Sequence, residues 1–162
     1  MLGKDRAAFT APWDALAARE IAVRLKDIEG PLLPILHAFV ERFGHINNEA
    51  IVLVADVLNI TRADVQGVVS FYHDFRREPA GRHVIKVCRA EACQSMGSEA
   101  LAGRLERALG IPFGETTIDR QITLEEVFCL GNCALSPAVM IDGELHGRAD
   151  EGKVLELVGV RS

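Results

Sequence analysis

The 162-residue sequence lacks any apolar run close to the roughly 20 residues that a membrane-spanning helix needs. It therefore predicts no transmembrane segment. Positive charge is also in deficit, since 18 lysines and arginines face 23 acidic residues and leave a formal charge of −5. This balance argues against a general nucleic-acid binder. The N-terminus carries Lys4, Asp5 and Arg6 without a following apolar h-region, so we expect no secretory signal and a cytoplasmic location.

The sequence also lacks the common nucleotide-binding fingerprints. No G-x-G-x-x-G motif follows a predicted strand, and no Walker sequence occurs. If NAD is involved, another chain must bind it. The composition itself, with 49% apolar and 25% charged residues, is ordinary for a globular chain that fills a core.

The two parts of the sequence differ in kind. Residues 1–82 contain seven of the nine aromatic residues and no cysteine, whereas residues 83–162 contain all four cysteines. The polar stretch at residues 76–82, which includes Pro79 and Gly81, is typical of a linker. We therefore predict two domains, residues 1–80 and residues 81–162.

The first part predicts helices, because its apolar residues recur at helical spacing. Asp14 is a candidate cap for a helix that ends at Gly30, and Pro31 suits the first turn of a second helix that ends at Gly44. The third and fourth helices are predicted over residues 48–59 and 61–75, the last with a capping box at its start. Four short helices with brief connections predict a small bundle, whose expected role is packing and docking.

The second part alternates between strand and helix patterns. We predict a strand over His83–Cys88, a helix that Ser98 caps, and extended stretches near residues 116–118 and at residues 125–129. An Asp142-Gly143 turn then predicts a hairpin, and Asp150 can cap a last helix. The order β-α-β-β-β-α indicates a small α/β sandwich with a mixed sheet.

The four cysteines form two pairs, each of which follows a predicted strand. Cys88 and Cys93 make a C-x4-C motif, and Cys129 and Cys133 make a C-x3-C motif. If the two strands are parallel neighbours, both pairs lie in adjacent loops at one end of the sheet. Four thiolates could then converge without distortion of the strands.

This spacing favours an iron–sulfur cluster of the [2Fe–2S] type, in which each iron takes two cysteine sulfurs, over the compact C-x2-C-x2-C run of many [4Fe–4S] centres. A zinc-stabilised interaction module without a redox role is the alternative from another class, although structural zinc sites usually have tighter spacing. Disulfide bonds, or buried thiols without a ligand, are a third interpretation of the four cysteines. A dithiol oxidoreductase would need a C-x-x-C motif, and a Rieske centre would need two histidines within the motif; the sequence has neither.

Two motifs carry a family resemblance: V-C-R-A-E-A-C-Q-S-M-G-S from Val87 to Ser98, and C-L-G-N-C-A-L-S-P-A-V-M-I-D-G from Cys129 to Gly143. They closely resemble the thioredoxin-like [2Fe–2S] ferredoxin family, in particular the 24 kDa subunit of respiratory complex I and its relatives. The resemblance extends over nearly the whole chain. It implies an α/β fold, an N-terminal four-helix bundle followed by a thioredoxin-like [2Fe–2S] ferredoxin domain with a mixed β-sheet. It also implies that four cysteines are the cluster ligands and that no residue is catalytic. The ligands are Cys88, Cys93, Cys129 and Cys133.

Within this family, residues 71–76 and 89–97 most resemble the gamma subunit of soluble NAD-dependent formate dehydrogenases. The resemblance implies an electron carrier without its own substrate site, in a complex that converts formate and NAD+ to CO2 and NADH. A flavin- and NAD-binding partner subunit would supply FMN and NAD. A molybdenum-containing catalytic subunit would supply the molybdenum cofactor, and further Fe–S clusters would also lie in partner subunits. The equivalent subunit of complex I or of an NAD-linked hydrogenase is the alternative.

Three local features accompany this assignment. Backbone N–H groups of residues 90–93 and 130–132 are expected to bond the cluster sulfurs and tune the reduction potential, with a contribution from the charge of Arg89, unless Arg89 is an ordinary solvated or partner-binding arginine. Pro137 precedes a predicted strand, where a thioredoxin-like fold often has a cis proline and a trans proline is the alternative. The aromatic residues Phe71, Tyr72 and Phe75 are expected mainly in the bundle core, unless some of them seal the bundle against a partner.

Overall fold

The computed structural model describes residues 11–72 and 74–160. They fall into two compact units, residues 11–79 and residues 80–160. Residues 1–10, on which the expected lack of a secretory signal depends, lie outside the described residues, as do His73 and residues 161–162. None of the helices in the described part is both long and apolar enough to cross a membrane.

The first unit consists of four helices, as the sequence predicts: α1 (Ala15–Leu25), α2 (Leu32–Phe43), α3 (Asn48–Leu58) and α4 (Arg62–Phe71). Their ends follow the local capping signals. The Asp14 carboxylate accepts the first backbone N–H bonds of α1, and Thr61 and Asp64 form a reciprocal capping box at the start of α4. Gly44 ends α2 in the left-handed conformation, with a φ of 77°.

The third helix begins at Asn48 as predicted, and the side chain of Asn47 caps it by accepting the N–H of Ala50. Two other predicted helix limits differ in the structure. The first helix ends at Leu25, five residues before Gly30. The fourth helix ends at Phe71 rather than at Phe75, since Tyr72 takes an extended conformation.

The core of the helical unit is aromatic at its centre. Trp13 contacts Phe39 and Phe43 edge to face, with ring centroids 5.8 and 4.9 Å apart. Phe75 is also buried in this core, as expected. The expectation is wrong for Phe71 and Tyr72, which are 74% and 41% exposed. Phe71 is the last residue of α4, and Tyr72 leaves the helix in an extended conformation.

The second unit is built on a four-stranded mixed sheet in the order β2-β1-β3-β4, which confirms the predicted α/β architecture. The strands are β1 (His83–Cys88), β2 (Ile122–Val127), β3 (Val139–Ile141) and β4 (Glu144–His146). Strands β1 and β2 are parallel, whereas β1–β3 and the β3–β4 hairpin are antiparallel.

Helices cover this sheet and close its core. They are α5 (Glu91–Ser95), α6 (Ser98–Leu109) and α7 (Glu151–Leu157). The apolar faces of α6 and α7 join the buried residues of β1 and β2 in one cluster. Its main members are Ile85, Val87, Leu101, Leu105, Leu124, Val139, Val154 and Leu155.

Four local expectations for this unit need correction. The strand predicted at residues 125–129 begins at Ile122 and ends at Val127, because its first three residues are buried against β1. The stretch near Thr116 forms a single bridge to Thr123 and no strand. Residues 91–95, expected as loop, form the short helix α5. Ser98 is the first residue of α6 and does not cap it; Gly97 does, with a φ of 90°.

Candidate metal centre

The two cysteine loops leave the sheet at the same end. Parallel strands β1 and β2 place Cys88 opposite Val127, and the N–H of Arg89 donates to the carbonyl of Val127 at 2.8 Å. The segment that follows β1 therefore begins beside the segment that follows β2. This is the arrangement that the sequence predicts for a convergence of both cysteine pairs.

The first pair is buried. Cys88 is the last residue of β1, and Cys93 lies in α5, whose single turn returns the chain toward the strand. The N–H of Cys93 donates to the carbonyl of Ala90 at 2.9 Å. Each of the two thiols shifts the pKa of the other. Burial raises the pKa of Cys88, while N–H groups of Ala90 and Leu130 oppose the rise.

The second pair lies at the surface. Cys129 follows β2 by two residues, and Cys133 begins a 3-10 turn that ends at Leu135. Cys129 has a φ of 129°, a region that side chains rarely adopt, and Gly131 follows with a φ of 75°. This tight path lets the N–H of Gly131 donate to Cys129 Sγ at 3.3 Å. The charge of nearby Cys129 raises the pKa of Cys133.

Contacts across the loops bring the two pairs together. The backbone N–H of Leu130, in the second loop, acts to lower the pKa of Cys88 in the first, and Cys93 acts to raise the pKa of Cys133. Ser136 adds a third link, since its Oγ lies 3.5 Å from Cys93 Sγ and donates to the carbonyl of Cys133 at 2.8 Å. These contacts join the two loops that carry all four predicted residues.

One backbone N–H donates to a cysteine sulfur within the residues where such bonds are expected, 90–93 and 130–132: that of Gly131, which donates to Cys129 Sγ. The N–H groups of Ala90 and Leu130 act to lower the pKa of Cys88. Ala138 acts in the same direction on the pKa of Cys93, an effect that no pattern in the sequence indicates. Burial acts to raise the pKa of Cys93, but hydrogen bonds from Ser136, Ala138 and Cys88 together lower it.

Arg89 does not present a free charge to the sulfurs. Its guanidinium donates to Glu99 through Nε and Nη2, at 3.0 and 2.7 Å, and to Glu126 through Nη1 at 2.7 Å. It also lies over the ring of Phe113, 5.4 Å from the centroid. Arg89 therefore ties the end of β1 to α6 and to β2, and two carboxylates balance its charge.

The chemistry of this donor set fits a [2Fe–2S] cluster. Four thiols in two linked pairs supply two sulfurs for each iron. Loss of a proton from one thiol makes the loss of a second less favourable, as the raised pKa of Cys133 beside Cys129 indicates. A bound metal ion offsets this repulsion, because the cysteines coordinate it as thiolates. Among residues 11–72 and 74–160, no group of three or more Cys, His, Asp or Glu side chains is arranged to hold a single metal ion.

Comparison with known proteins decides the family. The model of the thioredoxin-like [2Fe–2S] ferredoxin family matches residues 18–160, nearly the whole chain. The chain belongs to this family. A [2Fe–2S] cluster is accordingly the cofactor of this ferredoxin, and its chemistry is electron transfer.

Relatives of this ferredoxin are subunits of larger assemblies. It is 42% identical over 115 residues to a subunit of the NADH-quinone oxidoreductase of Pseudomonas aeruginosa, a match that covers 71% of this chain and 69% of the relative. The corresponding NADH-quinone oxidoreductase subunit of Mycobacterium bovis is 35% identical over 152 residues, which cover 91% of this chain and 60% of the relative.

A solved structure shows the same fold. The NAD+-reducing [NiFe]-hydrogenase in its air-oxidized state matches 79% of this ferredoxin, with a TM-score of 0.66 and 24% identity. The ferredoxin spans only 22% of the length of that hydrogenase chain.

Proposed function

We propose that this ferredoxin is the electron-transfer subunit of an NAD-linked oxidoreductase complex, and that four cysteines hold its cluster. The ligands are Cys88, Cys93, Cys129 and Cys133. The observation that carries the proposal is the link between the two cysteine loops. The Oγ of Ser136, which follows the second pair, lies 3.5 Å from Cys93 Sγ of the first pair and donates to the carbonyl of Cys133.

The environment of the sulfurs suits one-electron chemistry. A [2Fe–2S] cluster with four thiolates carries a charge of about −2 and takes up one electron to reach about −3. The backbone N–H groups at Cys88, Cys93 and Cys129 stabilise this added negative charge. The buried first pair excludes water from one side of the site, and the exposed second pair leaves the other side open to a partner.

Three exposed apolar residues, Met96, Phe128 and Leu135, lie close in the sequence to the cysteines. Phe128 directly precedes Cys129, and Met96 and Leu135 follow Cys93 and Cys133 closely in the sequence. Phe128 is 72% exposed and Met96 61% exposed. Exposed large apolar side chains beside a cofactor are typical of a surface that a partner covers. The partner that we propose is a flavin- and NAD-binding subunit, whose FMN exchanges electrons with the cluster.

The helical domain, residues 1–80, is proposed to dock this ferredoxin in the complex, while residues 81–162 hold the cluster. Phe71 and Tyr72 support this role, since their rings pack edge to face on the surface with centroids 5.1 Å apart. Phe71→Ala should weaken co-purification of the flavoprotein partner and leave cluster content unchanged. Leu16→Ala is the matched control, because Leu16 is equally exposed on α1. If both variants co-purify the flavoprotein partner equally well, the proposed docking role of Phe71 is refuted.

The finer assignment is to a cytoplasmic formate dehydrogenase with a molybdenum-containing subunit. The resemblance of residues 71–76 and 89–97 to the gamma subunit of that enzyme supports it. The relatives from NADH-quinone oxidoreductases favour a complex I assembly as the second candidate. Purification of the tagged ferredoxin with its native partners decides between them. Formate-dependent reduction of NAD+ and molybdenum in the complex would support the first candidate, whereas quinone-dependent NADH oxidation would support the second.

The cluster itself is tested on the anaerobically purified chain. We expect about two irons and two acid-labile sulfides for each chain, a red-brown colour, and an EPR signal after reduction with dithionite. Cys88→Ser and Cys129→Ser should each lower the iron content, while Ser70→Ala on α4 should not. A colourless protein that contains zinc and no labile sulfide would refute the electron-transfer role. It would support a zinc-stabilised interaction module instead.

A further inference from the structure

Ser136 occupies a position between the two cysteine pairs. Its side chain is buried, with 7% of the residue exposed. The hydroxyl oxygen lies 3.5 Å from Cys93 Sγ, a distance typical of a hydrogen bond to sulfur, and it donates to the carbonyl of Cys133 at 2.8 Å. One hydroxyl thus links a buried cysteine of the first pair to the backbone of an exposed cysteine of the second.

The hydroxyl has one proton and two acceptors. While Cys93 carries a thiol proton, that proton can point to the Ser136 oxygen, and the Ser136 proton stays on the carbonyl of Cys133. A metal-bound Cys93 has no proton to give. The sulfur is then a negatively charged acceptor in competition with a neutral carbonyl, and hydrogen bonds to charged acceptors are about twice as strong as those between neutral groups.

We propose that Ser136 is a positioning residue that donates its hydroxyl proton to the Cys93 sulfur when the cluster is bound and thereby raises the midpoint potential. The inference deepens the proposed function and rests on it, since it takes Cys93 as a ligand. Reduction increases the negative charge on the cluster sulfurs, so a donor at Cys93 stabilises the reduced form more than the oxidised form. Loss of the hydroxyl makes the cluster harder to reduce.

The test compares variants that differ by one hydroxyl group. Ser136→Ala removes the donor, and Ser136→Thr keeps it. Ser136→Val has the shape of the threonine variant without its hydroxyl, so the Thr/Val pair decides the question if the alanine variant fails to retain its cluster. Ser95→Ala is the matched control, because Ser95 lies in α5 beside Cys93 but its hydroxyl bonds the carbonyl of Ala92.

The midpoint potential of each full-length, cluster-loaded variant is measured by EPR at controlled potentials. We expect a more negative potential for Ser136→Ala and for Ser136→Val, a potential near wild type for Ser136→Thr, and no shift for Ser95→Ala. Equal potentials within the Ser/Ala pair, or within the Thr/Val pair if the alanine variant loses its cluster, would overturn the inference and leave Ser136 as a brace for the Cys133 turn. A wild-type chain without any cluster would instead refute the proposed function.

Discussion

Gly147 offers a sharp test of how the outer cysteine loop is held. The residue follows β4 and lies against the 3-10 turn that begins at Cys133. A Cβ added at Gly147 would lie 2.5 Å from Leu135 Cβ and 2.9 Å from both Asn132 Nδ2 and the Leu135 carbonyl oxygen. Carbon atoms in contact are normally about 3.5–4.0 Å apart, so the turn must move by about 1 Å to admit one methyl group. Leu135 is only two residues from Cys133, and the displacement therefore reaches a proposed ligand.

The expected cost of Gly147→Ala is that of overpacking, about 1–3 kcal/mol in the free energy of unfolding. For a unit of this size, each kcal/mol corresponds to a fall of about 4–8 °C in Tm. We expect this loss in thermal unfolding followed by circular dichroism. The same sample should contain less iron for each chain than wild type.

Gly103→Ala adds the same methyl group with the opposite expected effect. Gly103 lies inside α6, and an added Cβ there would find its nearest neighbour, Arg107 Nη1, at an ordinary 3.5 Å. Alanine is favoured over glycine in a helix interior by about 0.8–1.0 kcal/mol, so this variant should be more stable than wild type. The reasoning fails if Gly147→Ala keeps the wild-type Tm and iron content.

Two further predictions concern charged groups. Arg89→Ala should lower Tm, since it leaves Glu99 and Glu126 without their shared partner, and the loss should shrink in high salt because both pairs are partly exposed; a loss that salt leaves unchanged would contradict this account. Hydrogen bonds from the Thr61 side chain and backbone lower the pKa of Asp64, so its contribution to stability is complete above pH of about 4 and disappears as acid protonates the carboxylate. The difference in unfolding free energy between wild type and Asp64→Ala, measured by urea unfolding, should therefore change between neutral pH and acid, to the disadvantage of wild type in acid. A difference that does not depend on pH would refute the assignment.

Features with local signals could be predicted from the sequence. Asp14 and the Thr61 capping box mark helix starts because the side chain satisfies backbone N–H groups within the next three residues. The run His83–Cys88 and the Asp142-Gly143 turn likewise specify a strand and a hairpin without help from distant residues. Both cysteine pairs follow strands, and the parallel pairing of those strands brings their loops to the same end of the sheet.

Features set by tertiary contacts could not be predicted. Ser136 meets Cys93 across 43 positions, and the peptide bond between Ser136 and Pro137 is cis, one of the two alternatives considered. The helical spacing of apolar residues continues to Phe75, so periodicity alone could not show that α4 ends at Phe71 and exposes its ring. The ion pairs of Arg89 depend on the positions of α6 and β2, which its own neighbours do not specify.

The contrast between a concealed and an accessible cysteine pair has a consequence for how the protein matures. Cys129 and Cys133 are exposed, whereas Cys88 and Cys93 are buried with Ala138 and packed against Leu130 of the outer loop. We therefore expect an incoming iron–sulfur donor to contact the outer thiols before the inner ones. The same exposure makes Cys129 and Cys133 the first thiols that an alkylating reagent should reach in a chain without its cluster.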